Sequence, residues 1–473
     1  MKRFLTLLIA VMMLLALLSS CGEQPENPQA SSELPGSESA EPASESEPIS
    51  ESDTEPEPAT EPEEPLLGPD KPVYEYEYAA PEDGSFTICG IPLSEYSLVL
   101  YAPTSSEYNF INRKQITSRL KDPVNLATGI EWDLKVVKNE KYNTEKWAEH
   151  EILFGNNFQR DGIPEADTRK NYYGVTANGT VYFCSPSPML YCHMWQLFLE
   201  EFFGVPYGSG EQSGGCALTE CYRELPGLDE AWLKQQGYEI VFTDEFDGDA
   251  LNLDVWDYRA NGSRRNGYNA ASQVSVKDGN LILTGEYRTD GEYGEGWYGG
   301  MIALKKWYSR GYFKAVIRCS ECIATGSDYW SAFWVQGSDP YNPESCQGGI
   351  GPGGCEIDVL ECWGGDVATS TVYVSGYEGN TDLDSDSTSV VHTGNNYAEE
   401  YHSFELVWDE NSYRFFVDGQ LTFITTIGYG TSSAVEQVIL SLEIPSSFSI
   451  QPGTVREMKV ESLEIWQKPA AEE

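Results

Sequence analysis

From Tyr238 onward the chain is a run of short segments rich in aromatic and β-branched residues, and this texture limits the fold more than any other feature. "NLILTGEY", "YGGMIALKKW", "GYFKAVIRC", "YWSAFWVQG", "CEIDVLECW", "TSTVYVSGY", "SFELVWD", "YRFFVDGQLTFI", "QVILSLEI" and "MKVESLEIW" each read as strand. "WDENSYRFFVDGQ" carries turn signals at Glu410-Asn411 and Asp418-Gly419, so consecutive hairpins are expected there. Many strands with little helix predict an all-β sandwich or jelly roll.

One strand breaks the apolar rule. "GGCEIDVLECWGG" (353–365) places Glu356, Asp358 and Glu361 in an otherwise apolar run, where a carboxylate is costly unless something uses it. Positions i and i+2 of a strand share a face, so Glu356 and Asp358 do, whereas i+5 points the other way. One extra residue, a β-bulge among Val359, Leu360 and Glu361, restores the parity and turns all three acids to one face.

The blocks "VFTDEFDGDALNLDVW", "VSVKDGNLILTG", "GYFKAVIR", "YWSAFWV", "CEIDVLE" and "YHSFELVWDENSYRFFVDG" follow the order of glycoside hydrolase family 16, and 238–468 resembles its laminarinase-like members. The resemblance implies a concanavalin-like β-jelly roll with a concave cleft for polysaccharide, mostly endo-acting, with retention of anomeric configuration. Retention needs two carboxyls roughly 5–5.5 Å apart. By position in the bulged E-x-D-x-x-E form, Glu356 is the nucleophile, Glu361 the general acid/base, and Asp358 a helper sharing a proton with Glu356. Crowded like charges are expected to keep Glu361 protonated when it must donate.

Trp330 and Trp334 alternate on one strand and so share a face; with Trp363 and Tyr373 they are candidate substrate-binding residues, flat rings suiting the CH faces of sugars. Trp256 and Trp408 read as core and His402 as structural. Two departures from the family bear on the substrate. The loop "GSDPYNPESCQGGIGPGGC" lacks the Trp-Pro that often precedes the motif, and Tyr373 stands where many members have histidine. The implied substrate is β-1,3- or mixed β-1,3-1,4-linked glucan. The alternatives are agar, porphyran, carrageenan or host O-glycan, or a non-catalytic carbohydrate-binding role. Arg264-Arg265 is the obvious basic pair, and little else favours a sulfated polymer. The chemistry requires no cofactor. A structural calcium, if present, would use Glu245, the Gly279 carbonyl and Glu461, oxygen donors suited to that ion.

The other end of the chain is different in kind. Residues 1–20, "MKRFLTLLIAVMMLLALLSS", read as an export signal, and Leu18-Ser19-Ser20-Cys21 is similar to a bacterial lipobox. That resemblance implies a lipid on Cys21 and a location at the extracellular face of the cell membrane. Residues 21–69 are almost wholly Ser, Glu, Pro and Ala, which predicts a disordered acidic tether. The tether supplies part of the net charge of −45, and so acidic a chain excludes nucleic acid as a partner.

Residues 70–226 mix strand and helix signals and predict a smaller α+β accessory domain, with strands at "YSLVLYA", "EWDLKVV" and "EILFG", a hairpin at Asn178-Gly179, and an amphipathic helix through Leu190, Met194, Leu197, Phe198 and Phe202. This order resembles the N-terminal domain of β-hexosaminidases and α-glucuronidases. Residues 227–237 read as a linking helix stopped by Gly237. His193 reads as a packed histidine. The ten cysteines beyond Cys21 permit disulfides or free thiols, Cys346 with Cys355 being the first pair to try, and Cys319-Ser-Glu-Cys322 lacks the second CxxC of a zinc site. A monomer is expected.

Overall fold

Two largely antiparallel sheets lie against each other over residues 239–467 in the computed structural model. It describes residues 68, 82–102, 111, 115–132, 134–138, 141–156, 158–165, 167, 169–204, 215–339, 354–364, 367–375, 383–391, 397–426 and 430–469. The export signal, Cys21, the acidic tether before Gly68, and Cys346 fall outside them.

The first sheet runs in the order Trp256–Tyr258, Met301–Leu304, Gln437–Glu443, Trp330–Gln336, Glu356–Gly364, Val367–Ser375, Leu383–Val391. The second is centred on the long strand Val455–Gln467, which pairs with Gly311–Arg318 along one edge and with Asn280–Arg288 and Glu239–Asp244 along the other. Period-2 alternation explains the stacking. Phe333, Ile357, Leu360 and Leu440 of the first sheet and Phe313, Leu406, Leu463 and Ile465 of the second are all fully buried in one apolar cluster.

The expected strand "YGGMIALKKW" is two strands. Gly296–Gly299 belongs to the second sheet and Met301–Leu304 to the first. The chain changes sheets at Gly300, where a Cβ would come within 2.7 Å of the Gln273 carbonyl oxygen, so only glycine fits the corner.

The preceding region is a mixed α/β layer. Its sheet order is Leu134–Val137, Tyr96–Tyr101, His150–Phe154, Val181–Cys184, Tyr172–Val175, Cys221–Glu224, with parallel pairing among the first four strands and antiparallel after that. The hairpin turns at Gly179, whose φ of +85° suits glycine. Helices Ile116–Thr128 and Pro188–Phe203 bury Ile116, Leu120, Val124, Leu190, Met194, Phe198 and Phe202 in the same cluster as the sandwich core. A short helix, Glu230–Gln235, capped by the Asp229 side chain on the Ala231 N–H at 2.7 Å, leads into the sandwich. Asn171 Nδ2 donates to the Leu421 carbonyl at 2.8 Å and the Leu228 N–H to the Gly419 carbonyl at 2.6 Å, joining this region to the hairpin Tyr413–Thr425.

Candidate active site

The strand Glu356–Gly364 lies between Trp330–Gln336 and Val367–Ser375. Opposite Trp330–Gln336 the partners are Gln336↔Glu356, Trp334↔Asp358, Phe333↔Leu360 and Ala332↔Glu361, so Val359 is the extra residue. On the other side Asp358 pairs with Thr371 and Glu361 with Thr369, three residues against two. The bulge is therefore where parity demands it. Ile357, Leu360 and Cys362 go to the core, and the three acids go to the opposite face.

Burial differs among the acids. Glu356 and Glu361 are partly open, whereas Asp358 between them is 6% exposed. Burial, then the neighbouring charges of Glu361 and Glu356, push Asp358 well above the usual carboxylate range. Glu361 is pushed up to about 7, chiefly by burial, against a hydrogen bond from Trp330 that favours its ionised form. Gln336 Nε2 donates to Glu356 Oε2 at 2.5 Å and fixes that carboxylate. One partly open carboxylate is thus held by a donor, beside another poised to carry a proton near neutrality.

Tyr373 lies directly across from Glu356, and burial together with the three acids raises its hydroxyl far above the ordinary phenol range. Trp330, Trp334 and Trp363 share the acids' face. Trp330 Nε1 donates to Glu361 Oε1 at 3.1 Å, and its ring stacks on Trp363 with centroids 4.5 Å apart. The guanidinium of Arg265 lies 4.9 Å from the Trp330 ring and that of Arg259 4.9 Å from the Trp334 ring. Both tryptophans are consequently 6–7% exposed, and the surface above them belongs to arginine.

Sequence reading missed Glu443, Arg259, Gln336 and Ser441, and noted Arg264 and Arg265 only as a basic pair. Glu443 sits opposite Trp330 and takes both Arg264 Nη2 at 2.7 Å and Arg265 Nη1 at 2.5 Å. Burial alone would raise Glu443, but the two guanidiniums outweigh it and hold it at about 2. A signal was present: in "QVILSLEI" Gln437, Ser441 and Glu443 share one parity and Val438, Leu440 and Leu442 the other. Ser441 accepts from Trp334 Nε1 at 3.0 Å.

The remaining candidates lie elsewhere. Val455–Gln467 changes partner from Asn280–Arg288 to Glu239–Asp244 near Glu461, which falls in an irregularity opposite Val316/Ile317, and Glu245 and Gly279 each lie one residue outside those two strands. Among the described residues no three His, Cys, Asp or Glu side chains form a metal-holding group. His402 Nδ1 pairs with Asp418 Oδ2 at 2.8 Å, away from the three acids, and Trp256 and Trp408 are fully buried. His193 is half-buried on its helix. Cys319 and Cys362 are buried and within hydrogen-bonding reach of each other.

Residues 261–433 match the model of the glycosyl hydrolases family 16. The glucan endo-1,3-beta-glucosidase A1 of Niallia circulans is 25% identical over 215 residues, covering 40% of this chain and 30% of that protein. Among solved structures, the catalytic domain of an endo-1,3-beta-glucanase (laminarinase) from Thermotoga petrophila aligns at 17% identity and a TM-score of 0.40, over 49% of this chain and 99% of that one. Porphyranase B from Zobellia galactanivorans aligns at 16% identity and a TM-score of 0.39, over 49% and 92%. The family match spans the bulged acid strand and its two neighbours, so residues 261–433 of this chain are similar to the glycosyl hydrolases family 16 over the stretch that holds the three acids.

Proposed function

We propose that this protein is a retaining, endo-acting glycoside hydrolase that cleaves β-1,3- or mixed β-1,3-1,4-linked glucan. The observation that carries the reading is the bulge at Val359, which puts three acids on one face with Glu361 held near neutrality. Glu356, held by Gln336, attacks the anomeric carbon while Glu361 gives its proton to the departing glycosidic oxygen. Glu361, now ionised, then takes a proton from the water that releases the sugar from Glu356. Asp358, kept neutral by burial and its neighbours, lends a hydrogen bond to Glu356 without adding charge. Trp363 and Tyr373 line the sugar-binding surface. The glucan preference is supported by the Niallia circulans relative.

The test is to incubate the purified protein with laminarin, lichenan, curdlan, agarose, porphyran and mucin, map the products, and read the anomer first formed by NMR. Internal cleavage of a β-glucan with the β-anomer released first supports the reading. No new reducing ends from any polymer would overturn it in favour of a binding role.

One observation favours a second reading, an anionic polysaccharide. Arg259 and Arg265 cover the two cleft tryptophans, so guanidinium groups rather than indole faces meet the substrate. A rate on porphyran or sulfated mucin exceeding that on laminarin, and lost in Arg265→Ala, would establish it.

The proposal places the enzyme at the outer face of the cell membrane, held by a lipid on Cys21, with residues 70–226 as an accessory region. A mass shift absent from Cys21→Ala, or processing blocked by globomycin, tests the anchor. A calcium ion at Glu245, Gly279 and Glu461 would be structural, with no part in the chemistry.

A further inference from the structure

Glu436 is a carboxylic acid the proposed chemistry does not use, and it is 0% exposed. It precedes the strand Gln437–Glu443, and its backbone exchanges hydrogen bonds with Tyr308 at 2.8 and 3.0 Å, which fixes its position. Its side chain reaches across to the start of the acid strand. Oε1 accepts the Cys355 N–H at 3.0 Å, and both oxygens lie within 3.8 Å of Cys355 Sγ.

Cys355 is the residue immediately before Glu356, and it is held from every direction. Its carbonyl accepts the Gly337 N–H at 2.8 Å, and its Sγ lies 3.4 Å from Tyr413 Oη, which itself accepts the Ser432 N–H at 2.6 Å. Gly354, at φ +78°, brings the chain in close: a Cβ there would stand 2.6 Å from Glu436 Oε1. A buried charge at this point would face Glu356, Cys355 and Tyr413. Burial, and the charge of Glu356, push Glu436 up to about 8 against the hydrogen bonds it accepts from Cys355 and Ser432, which favours its neutral form.

We propose that Glu436 is a positioning residue for the nucleophile: by clamping the Cys355 N–H it fixes where the acid strand begins, and so where the Glu356 carboxylate points. The arrangement is economical in charge. A lysine has no acceptor for the Cys355 N–H and an asparagine is one methylene shorter, whereas a neutral carboxyl of this length supplies the acceptor without a second negative charge behind Glu356. The alternative is a polar group buried only for stability. That alternative predicts a loss of melting temperature with no change in the strand entry or in turnover.

The inference rests on Glu356 acting as the nucleophile, so its test has one arm that needs no substrate. Hydrogen–deuterium exchange of the full chain is compared among wild type, Glu436→Leu, Glu436→Asp and Glu436→Gln. Exchange across Cys355–Asp358 is expected to quicken at least tenfold in Glu436→Leu, with Gln437–Glu443 unchanged. The smaller Glu436→Asp change, which withdraws the carboxyl by one methylene, is expected to show the same effect more weakly, and the isosteric Glu436→Gln is expected to exchange as wild type. In the second arm, kcat on the best polysaccharide falls ten- to a hundredfold in Glu436→Leu with KM within twofold, and Glu436→Gln, an isostere of the neutral acid, recovers most of it. Wild-type exchange across Cys355–Asp358 together with wild-type kcat in folded Glu436→Leu or Glu436→Asp overturns the proposal. A wild type inactive on every polymer overturns the functional reading instead, and the exchange arm then decides this one alone.

Discussion

Trp330 and Glu361, thirty-one residues apart, are joined by a hydrogen bond from the indole Nε1 to the carboxylate Oε1 at 3.1 Å. The donor stabilises the ionised carboxylate and so opposes the burial that raises Glu361 to about 7. Trp330→Phe keeps the ring and removes the donor. Glu361 then titrates higher, and because it must be protonated to donate, the alkaline limb of kcat/KM moves up. A charge-assisted bond contributes about 1.5 kcal/mol or more, or roughly one pH unit. A limb that stays at its wild-type position would show that Glu361 is not the proton donor.

Azide separates the two roles proposed for Glu356 and Glu361. Glu361→Gln is expected to lose about a thousandfold or more on a natural glucan, where the leaving oxygen needs a proton. On an aryl glycoside with a good leaving group the loss is smaller, and azide restores rate by attacking the glycosyl-enzyme in place of water, giving the β-azide. Glu356→Ala with azide gives the α-azide by direct displacement. NMR of the products reads both outcomes, and full activity of Glu361→Gln on glucan would reverse the assignment.

Glu443 holds Arg264 and Arg265 against the Trp330 face of the cleft. Glu443→Gln leaves two guanidiniums without their carboxylate and is expected to cost about 3 kcal/mol in urea unfolding at pH 7. The acid's pKa in the folded protein lies below its unfolded value, at about 2. Its contribution is therefore present above the ordinary carboxylate range and lost as pH falls through about 2. Wild type should approach the variant's stability in that window.

Asn171, fully buried, donates to the Leu421 carbonyl and accepts from Ser185 Oγ, both at 2.8 Å. Asn171→Leu strands both partners and is expected to destabilise the protein by about 2 kcal/mol, with turnover at 25 °C unchanged. Thermal unfolding followed by intrinsic fluorescence, alongside a rate assay, checks both halves of that expectation.

If calcium binds at the partner change near Glu461, EDTA lowers the melting temperature, added calcium restores it, and Glu461→Ala abolishes the difference. Activity at 25 °C does not change. Identical melting with EDTA and with calcium removes the ion from the proposal.

Two kinds of information were separable in this chain. The bulge was legible because strand parity is local: three acids at i, i+2 and i+5 face one way only if a residue is inserted between them, and Val359 is that residue. The strand texture of the sandwich was legible for the same reason, and so were the hairpin at Gly179 and the helix ending at Phe203 in the region before it. Sheet changes were less visible. Gly300 splits one apparent strand between two sheets, because a pattern of apolar residues does not say which sheet a strand joins.

What lines the cleft came only from tertiary structure. Sequence periodicity put Trp330 and Trp334 on one face but could not show that Arg265 and Arg259 cover them. Nor could it bring Glu443 against Arg264, or Glu436 against the residue before Glu356. Periodicity along a strand assigns the face on which a side chain lies, and that put Glu356, Asp358 and Glu361 on one face. Which distant strand supplies its neighbour depends on sheet order and register, set by cooperative burial over the whole core, and that decided their protonation and their company.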